Sequence, residues 1–330
     1  MRKKSMKSLN DIKNKRILYA AIKNSDYIRL VQEIRLLREN GNTVTVIASP
    51  SKRYIDRMIY VYRRLVMVKM KDYDMSFIGF APQLIVPFFG RKLKKKPLII
   101  DFFISVYDTM CFDRKKVRSN GIIGKALKYI DKKTLDSSDM AVCDTKAHGK
   151  YFCEEFGFSP KKMKVLYLEA DKSIYYPREN KTNKEFTVLY FGSVLPLQGV
   201  PVILEAVDML KDEKGLRFVI IGPLGNGIIR TGEKITEYIE WLPQDKLAEK
   251  IAGADLCLAG HFDGSIMKAR RTIAGKTYIY RAMGKPVILG DNPANHELYS
   301  ENDEGVYFCE MGNSKKLAEL IKSIKDQRCR

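Results

Sequence analysis

The sequence has 330 residues, 45% of them apolar and 30% charged, which is enough to bury a large core and excludes an intrinsically disordered chain. It contains no run of 18 or more uncharged apolar residues, and residues 1–20 lack the apolar core of a signal peptide, so we expect a cytoplasmic protein. The six cysteines form no CxxC pair, which favours reduced thiols over a disulfide framework or a structural zinc site.

The net charge of +20 is concentrated in the first half of the chain. Lys and Arg outnumber Asp and Glu by 38 to 19 in residues 1–180, but only by 21 to 20 in residues 181–330. Such a charge attracts an anionic membrane surface, a phosphorylated acceptor or a nucleic acid. Basic and apolar residues alternate over 53–71 and 82–96, which favours a membrane-facing surface, although a solvated helix face gives the same pattern. No nucleic-acid recognition motif is present, so we expect no nucleic-acid partner.

Short β-branched runs alternate with amphipathic ones in the first half, which predicts βα units and a parallel sheet. A helix is predicted over 26–40, with Ile28, Val31, Ile34 and Leu37 facing the sheet and Gly41 ending it. The predicted strands are residues 16–21, 43–49, 64–70, 75–80, 97–103, 140–145 and 164–170.

The second half repeats the pattern. Its predicted strands are residues 186–193, 217–223, 237–242, 255–262, 286–291 and 305–312, and its predicted helices are 200–214, 245–253, 275–283 and a last one from 313. A polar stretch over 171–185 marks the junction, so we predict two Rossmann-like, doubly wound parallel-sheet domains at 1–175 and 176–330. Sheets of this type bind ligands at the carboxyl ends of their strands, and we expect a cleft there.

Two segments of the second half are typical of phosphate binding. FGSVLPLQG (191–199) and RRTIAGK (270–276) both place glycine and backbone amides where a strand or loop gives way to a helix. The second segment adds Arg271 and Lys276 just before its helix. If these two residues are not simply solvated, the pattern indicates an enzyme or binder of activated phosphate esters.

These segments also carry a resemblance to a known family. FGSVLPLQG and KARRTIAGKTYIYRAMGKPVILGDNPANHEL (268–298) resemble the donor-binding domain of retaining GT-B glycosyltransferases of the family 4 group, in a bacterial branch with PLQG and AMGKPVI motifs. Residues 99–117 and 141–157 resemble the same branch. The resemblance therefore spans most of the chain and implies the GT-B fold, with two Rossmann-like domains facing across a cleft.

The resemblance implies a nucleotide-sugar donor, no cofactor and no metal, since the donor half has no Asp-x-Asp pair. It makes Arg271 and Lys276 the predicted catalytic groups, because they would stabilise the departing diphosphate. Many relatives carry a lysine where this chain has Gln198 and an arginine near Ser193, which shifts that role to Arg271 and Lys276. The other predicted donor-binding residues are Gly192, Val194, Leu195, Gly222, Trp241, Leu242, His261, Ile279 and Glu297.

Several of these assignments have alternatives. Trp241 either stacks on the nucleobase or packs between helix and sheet, and Glu297 is either a ligand or a helix-start residue. In the first half, Asp101 and Asp108 stand where many members have a histidine that touches the sugar. A carboxylate there would orient a sugar or acceptor hydroxyl, so both are predicted catalytic residues, although Asp101 capping a loop is an equal alternative.

Ile279 departs from the family pattern. A glutamate usually stands at this position and accepts hydrogen bonds from the ribose, and two buried hydroxyls left unpaired would cost about 1 to 3 kcal/mol each. The resemblance implies a retaining hexosyltransferase that acts on a lipid-linked or polysaccharide-type acceptor at the inner face of the cell membrane. Ile279 and the chain end at Arg330 favour the alternative, an inactive homologue that serves as a non-catalytic protein partner.

Overall fold

The protein is described by a computed structural model over residues 8–178, 184–225 and 229–328. The chain forms two compact units, Met1–Glu169 and Ala170–Arg330. The division falls a few residues before the predicted one after residue 175. Residues 179–183 of the predicted junction lie outside the described residues.

The first unit is built around a six-stranded parallel sheet in the order β2-β1-β3-β4-β5-β6. Its strands are β1 Arg16–Ala20, β2 Thr43–Ile47, β3 Met75–Ile78, β4 Leu98–Asp101, β5 Met140–Cys143 and β6 Met163–Val165. Its helices are α1 Ile28–Glu39, α2 Tyr54–Met67, α3 Val86–Leu93, α4 Val106–Asp108, α5 Ile122–Asp136 and α6 Lys146–Phe156. Apolar clusters cover both faces of the sheet, which is why its central strands are uniformly apolar.

Two predictions for this unit were wrong. Residues 64–70 are not a strand, because α2 continues to Met67. Val61 and Leu65 are four residues apart and buried, whereas Val66 and Met67 are exposed, so the run has a helical period. In α1, Val31 is exposed and Leu30 is buried, because a strict three-residue spacing drifts around a helix of 3.6 residues per turn.

The second unit contains another six-stranded parallel sheet, in the order β12-β11-β10-β7-β8-β9. Its strands are β7 Phe186–Phe191, β8 Leu216–Ile221, β9 Thr236–Ile239, β10 Leu256–Leu258, β11 Val287–Gly290 and β12 Val306–Cys309. Its helices are α7 Val200–Met209, α8 Gln244–Ala252, α9 Gly275–Ala282 and α10 Ser314–Arg328. Counted from β7, this is the Rossmann strand order, which confirms the predicted doubly wound layout.

The described cysteines are all free, and four of the five are buried: Cys111, Cys143, Cys257 and Cys309. Within the described ranges, no helix combines the length and the apolar character needed to cross a membrane.

Candidate functional site

The candidate site of the second unit lies where its strand order reverses. The chain leaves β7 toward β8 on one side, while β10 pairs with β7 on the other. Gly192 follows β7, and Gly260 and His261 follow β10, so these loops meet at the carboxyl ends of two adjacent strands. A crevice at such a switch point is where open α/β sheets bind ligands.

Lys276 occupies this crevice. It lies in the first turn of α9, and its side chain is only 7% exposed. Its ammonium donates a hydrogen bond to Gln198 Oε1 and lies 4.4 Å from the centroid of the Tyr190 ring. A Cβ atom added at Gly192 or Gly260 would come within 2.9 or 3.0 Å of Lys276 Nζ. The two glycines therefore give the lysine its space.

The Lys276 ammonium has no acidic partner among the described residues. Burial lowers the pKa of Lys276 from 10.5 to about 7, because water is removed from the charged form and no carboxylate compensates. A phosphate group placed in the crevice would supply the missing negative charge.

Two buried hydroxyls lie on the elements that hold Lys276. Tyr190 Oη and Thr277 Oγ1 have no hydrogen-bond partner among the described residues, although Tyr190 is 1% exposed and Thr277 is fully buried. Tyr190 Oη would lie 3.2 Å from a Cβ at Gly192, so it points toward the first loop. Buried polar groups are usually paired, and such exceptions are typical of ligand sites. Neither residue was predicted, because both lie inside runs that carry an ordinary strand or helix pattern.

The first phosphate loop is tightly packed against its neighbours. The Gly192 amide donates to Ile221 O at 2.9 Å, so it does not point at a ligand, and its predicted role as a phosphate donor was wrong. A Cβ at Gly222 would lie 2.0 Å from Gly192 O, so only glycine fits there. Ser193 and Leu195 are exposed, whereas Val194 packs against the apolar core.

The loop after β10 is tied to the segment that carries Arg271. His261 is buried in the left-handed region with φ of 59°, an uncommon conformation for a non-glycine residue. Its Nδ1 lies 3.0 Å from Thr272 O, next to the half-buried Arg271. The loop after β10 and the approach to α9 are thus held together beside Lys276.

Ile279 and Glu297 lie on separate elements of the second unit. Ile279 is half-buried in α9 and packs against the apolar cluster that contains Tyr280 and Met283. Glu297 is the last residue of a short 3-10 helix, Asn295–Glu297, which follows β11. The glutamate therefore ends this turn instead of starting a helix.

Three residues predicted to bind the donor follow β8 and β9: Gly222, Trp241 and Leu242. Trp241 is 73% exposed, so the alternative that it packs between helix and sheet was wrong. Leu242 is half-buried and packs against the core. A depression of about 170 Å³ is lined by Gly222, Leu224, Gly225, Arg230, Tyr238, Ile239 and Glu240. Asn226 and Gly227, which follow Gly225 in the chain, lie outside the described residues.

In the first unit, Asp101 is part of a buried ionic network. It is the last residue of β4 and accepts hydrogen bonds from Arg29, Nη2 to Oδ1 at 2.8 Å and Nε to Oδ2 at 3.0 Å. Glu33 Oε1 lies 3.4 Å from Arg29 Nε, and burial raises the pKa of Glu33 well above its usual value. The loop-capping alternative for Asp101 was therefore wrong. Asp108 is buried in α4, and its amide donates to Ser105 Oγ at 2.9 Å.

A second buried lysine of the second unit has a different environment. Lys285 donates to the carbonyl oxygen atoms of Ala252 and Ala254, the latter at 2.9 Å, and thereby caps the end of α8. Lys276 and Lys285 are equally buried, but only Lys285 is engaged with backbone carbonyls. The lysine of the AMGKPVI motif thus has a structural role.

Fold and site together define an α/β protein whose second sheet has the Rossmann strand order. At the switch point of this sheet, where such sheets hold phosphate-bearing ligands, lies a buried lysine with no acidic partner among the described residues. Residues 185–326 match the family model "Glycosyl transferases group 1". A curated relative, the MMP alpha-(1->4)-mannosyltransferase of Mycolicibacterium hassiacum, is 27% identical over 146 residues. That match covers 41% of this chain and 35% of the relative, so the chain spans about a third of the relative's length.

Solved structures match across both units. HepE from Anabaena in complex with UDP superposes with a TM-score of 0.59 at 12% identity, covering 95% of this chain and 90% of that one. Sucrose-phosphate synthase from Thermosynechococcus elongatus superposes with a TM-score of 0.64 at 10% identity, with the same coverage. At these identities the likeness concerns the fold, and it confirms the predicted GT-B fold with two Rossmann-like sheets.

Proposed function

We propose that this protein is a glycosyltransferase that moves a sugar from a nucleotide-sugar donor to an acceptor with retention of anomeric configuration. The observation that carries the proposal is Lys276, a buried cation with no acidic partner among the described residues, at the switch point of a Rossmann-order sheet. The family match over 185–326 and the names of the similar proteins, a mannosyltransferase and a structure solved with UDP, agree with it.

The chemistry follows from the leaving group. When the nucleoside diphosphate departs, negative charge develops on its terminal phosphate, and a fixed cation in a dry crevice stabilises that charge. Lys276 supplies the charge without a metal ion, and Arg271 is the second cation offered by the same segment. The leaving phosphate itself takes the proton of the acceptor hydroxyl, so no protein nucleophile is required.

The acceptor belongs, in this proposal, to the lipid-linked or polysaccharide-type class, and the first unit binds the membrane surface from the cytoplasmic side. Val66 and Met67 at the end of α2 are 67% and 74% exposed, and Phe88 of α3 is 70% exposed. Tyr62 of α2 contacts Phe88, with ring centroids 5.7 Å apart, so these residues share one surface. The same two helices and the residues just after them carry exposed basic side chains: Arg63, Arg64, Lys69, Arg91, Lys94 and Lys95. Apolar side chains together with basic ones suit an anionic leaflet.

A second candidate is an inactive homologue that binds a partner protein. Ile279 favours it, because its side chain joins an apolar cluster at the position where the resemblance implies a ribose-binding glutamate. The two candidates differ in one observable property, which is affinity for a nucleoside diphosphate.

The test is a thermal-shift screen of nucleotide sugars and nucleoside diphosphates on the full chain. A ligand that binds only the native state at 100 times its dissociation constant stabilises it by about 2.7 kcal/mol, which is an easily measured shift. We expect stabilisation by at least one nucleotide, and loss of that stabilisation in Lys276→Ala. Absence of a shift with every nucleotide would leave the inactive homologue as the better description.

A further inference from the structure

The first unit has its own switch point, and the residues around it differ from those of the second unit. Its sheet order, β2-β1-β3-β4-β5-β6, reverses between β1 and β3. Lys23 follows β1, and Phe80 and Ala81 follow β3. Open α/β sheets bind ligands at such switch points, so a second ligand site is expected in this crevice.

The backbone at this crevice is strained. Phe80 and Ala81 are consecutive non-glycine residues in the left-handed region, with φ of 38° and 52°. This backbone conformation is energetically costly for a non-glycine residue, and such a cost is typical of functional sites. The strained pair brings the Phe80 ring against Tyr27, with ring centroids 5.3 Å apart, and against Phe103 at 5.8 Å. All three rings are half-buried, so they form a partly open aromatic shelf.

A lysine lies on this shelf without a hydrogen-bond acceptor. Lys23 Nζ is 4.8 Å from the Tyr27 ring centroid and 4.9 Å from that of Phe80. Among the described residues none accepts a hydrogen bond from Lys23, and none forms an ion pair with it. The nearby acid, Asp26, accepts a hydrogen bond from the side-chain amide of Asn24.

A second cation follows β2, the strand that pairs with β1, and it forms no ion pair with a carboxylate of the described residues. Arg57 of α2 donates through Nη1 to the carbonyl oxygen atoms of Ser51 and Lys52, at 2.9 and 3.1 Å, which fixes it on the loop after β2. Its Nε is buried and has no hydrogen-bond partner among the described residues. Burial is the main cause that lowers the pKa of Lys23, the charge of Arg57 lowers it further, and the carboxylate of Asp26 acts in the opposite direction.

The remaining charges nearby are already engaged. The carboxylates of Asp101 and Glu33 both contact Arg29, whose guanidinium is 5.0 Å from the Phe103 ring centroid. Asp56 lies 3.7 Å from Arg53. Among the described residues, Lys23 Nζ and Arg57 Nε are therefore cationic donors without an acceptor, and the shelf beside Lys23 is apolar.

We infer that this crevice binds a phosphate-bearing sugar, with the phosphate on Lys23 and Arg57 and the sugar ring on the aromatic shelf of Tyr27, Phe80 and Phe103. Lys and Arg make charge-assisted hydrogen bonds to phosphate, and flat rings cover the apolar face of a sugar. The inference rests on the proposed function only in assigning this ligand as the acceptor.

The test uses α-D-glucose 1-phosphate as the probe, titrated calorimetrically into full-length Lys276→Ala protein, so that the second unit's cation is absent. We expect Lys23→Met and Arg57→Gln, each added to that background, to weaken binding about tenfold, the loss of one charge-assisted hydrogen bond. Lys150→Ala, which removes an exposed lysine of α6, serves as the matched control and should bind like its parent. Lys23→Met keeps the apolar stem over Tyr27, so the shelf stays packed.

Absence of probe binding, or equal binding by Lys23→Met, Arg57→Gln and the Lys150→Ala control, would overturn the inference. Equal affinity for inorganic phosphate and the sugar phosphate would also overturn it, because the shelf would then contribute nothing. Vesicles of phosphatidylcholine with and without phosphatidylglycerol separate the sources of the phosphate. If Lys23→Met weakens vesicle binding as much as it weakens probe binding, the ligand is a lipid headgroup; if only probe binding falls, it is a free sugar phosphate. Nucleotide binding by the wild type is measured separately, so failure here does not bear on the donor site.

Discussion

The ammonium group of Lys276 lies 4.4 Å from the centroid of the Tyr190 ring and is held by Gln198 instead of by an acid. Cation–π contact with a desolvated ring contributes about 2 kcal/mol, which offsets only part of the cost of burying a charge. An anion that enters the crevice would neutralise the ammonium and so relieve the part of the burial cost that remains.

Replacing Lys276 by alanine should lower turnover at least tenfold, because an interaction that is strongest in the transition state is lost. Stability should change little, since the lost contacts with Gln198 and Tyr190 are offset by removal of a buried charge that no described carboxylate neutralises. Steady-state kinetics and chemical denaturation measure the two effects.

Lys285→Ala provides the matched control for this substitution. Lys285 is equally buried, but its loss leaves the Ala252 and Ala254 carbonyls unpaired, so we expect lower stability and unchanged nucleotide affinity. Full activity in Lys276→Ala, or the same profile in both variants, would remove Lys276 from the site.

Nucleotide binding should take up a proton at pH 8. With a pKa of about 7, Lys276 is mostly neutral in the free protein at that pH, and a bound diphosphate raises the pKa because it favours the ammonium form. Calorimetry in two buffers of different ionisation enthalpy should therefore show uptake of roughly one proton at pH 8 and much less at pH 6. Uptake that persists unchanged in Lys276→Met would assign the proton to another group.

Ile279→Glu should tighten nucleotide binding, because a carboxylate at this position would accept hydrogen bonds from the ribose. The substitution also removes apolar contact with the Tyr280 and Met283 cluster, so we expect a loss of stability of about 1 kcal/mol. Ile279→Gln is the control, because its neutral amide makes weaker hydrogen bonds. Titration by calorimetry decides the point, and a looser or unaltered dissociation constant for Ile279→Glu would show that the ribose is held elsewhere.

Gly260→Ala should weaken nucleotide binding at least tenfold by displacing the lysine. The added Cβ would lie 2.5 Å from Gln198 Oε1 and 3.0 Å from Lys276 Nζ, at a residue whose φ is 81°. Gly157→Ala carries a similar conformational cost at φ of 68°, but its Cβ would meet nothing closer than 3.8 Å. Both variants should lose stability by denaturation, and only the first should lose nucleotide affinity.

The exposed apolar residues of α2 and α3 should govern membrane binding. The double substitution Met67→Glu and Phe88→Glu should reduce co-sedimentation with vesicles that contain phosphatidylglycerol several-fold, since it places acids against an anionic surface. Ile229→Glu alters an equally exposed residue of the second unit and should leave sedimentation unchanged. Equal sedimentation of all three proteins would argue against this surface as the membrane contact.

The sequence predicts the fold far better than it predicts the contacts within the site. The periods of β7, β8 and β11 and their glycine stops are local signals, and they predict the sheet of the second unit correctly. The failure at residues 64–70 is equally physical, because an apolar run of that length fits either a strand or a helix until its burial is known.

The site contains both predictable and unpredictable parts. Lys276 could be found from its motif, but its contact with Gln198 spans 78 residues, and Tyr190 is an ordinary strand residue in the sequence. Asp101 shows the opposite case. The position of Asp101 in the sequence predicted a catalytic role. In the structure its carboxylate accepts hydrogen bonds from Arg29, 72 residues away in the same unit.

The hydrogen bonds from Lys285 to the end of α8 mean that the AMGKPVI segment is needed by the fold itself. A residue that closes a helix end is under pressure from folding alone, whatever happens at the crevice. A descendant that had lost all catalysis would still need that lysine, and would still display the signature by which its lineage is recognised. The AMGKPVI segment is therefore evidence for the fold, whereas evidence for catalysis has to come from Lys276.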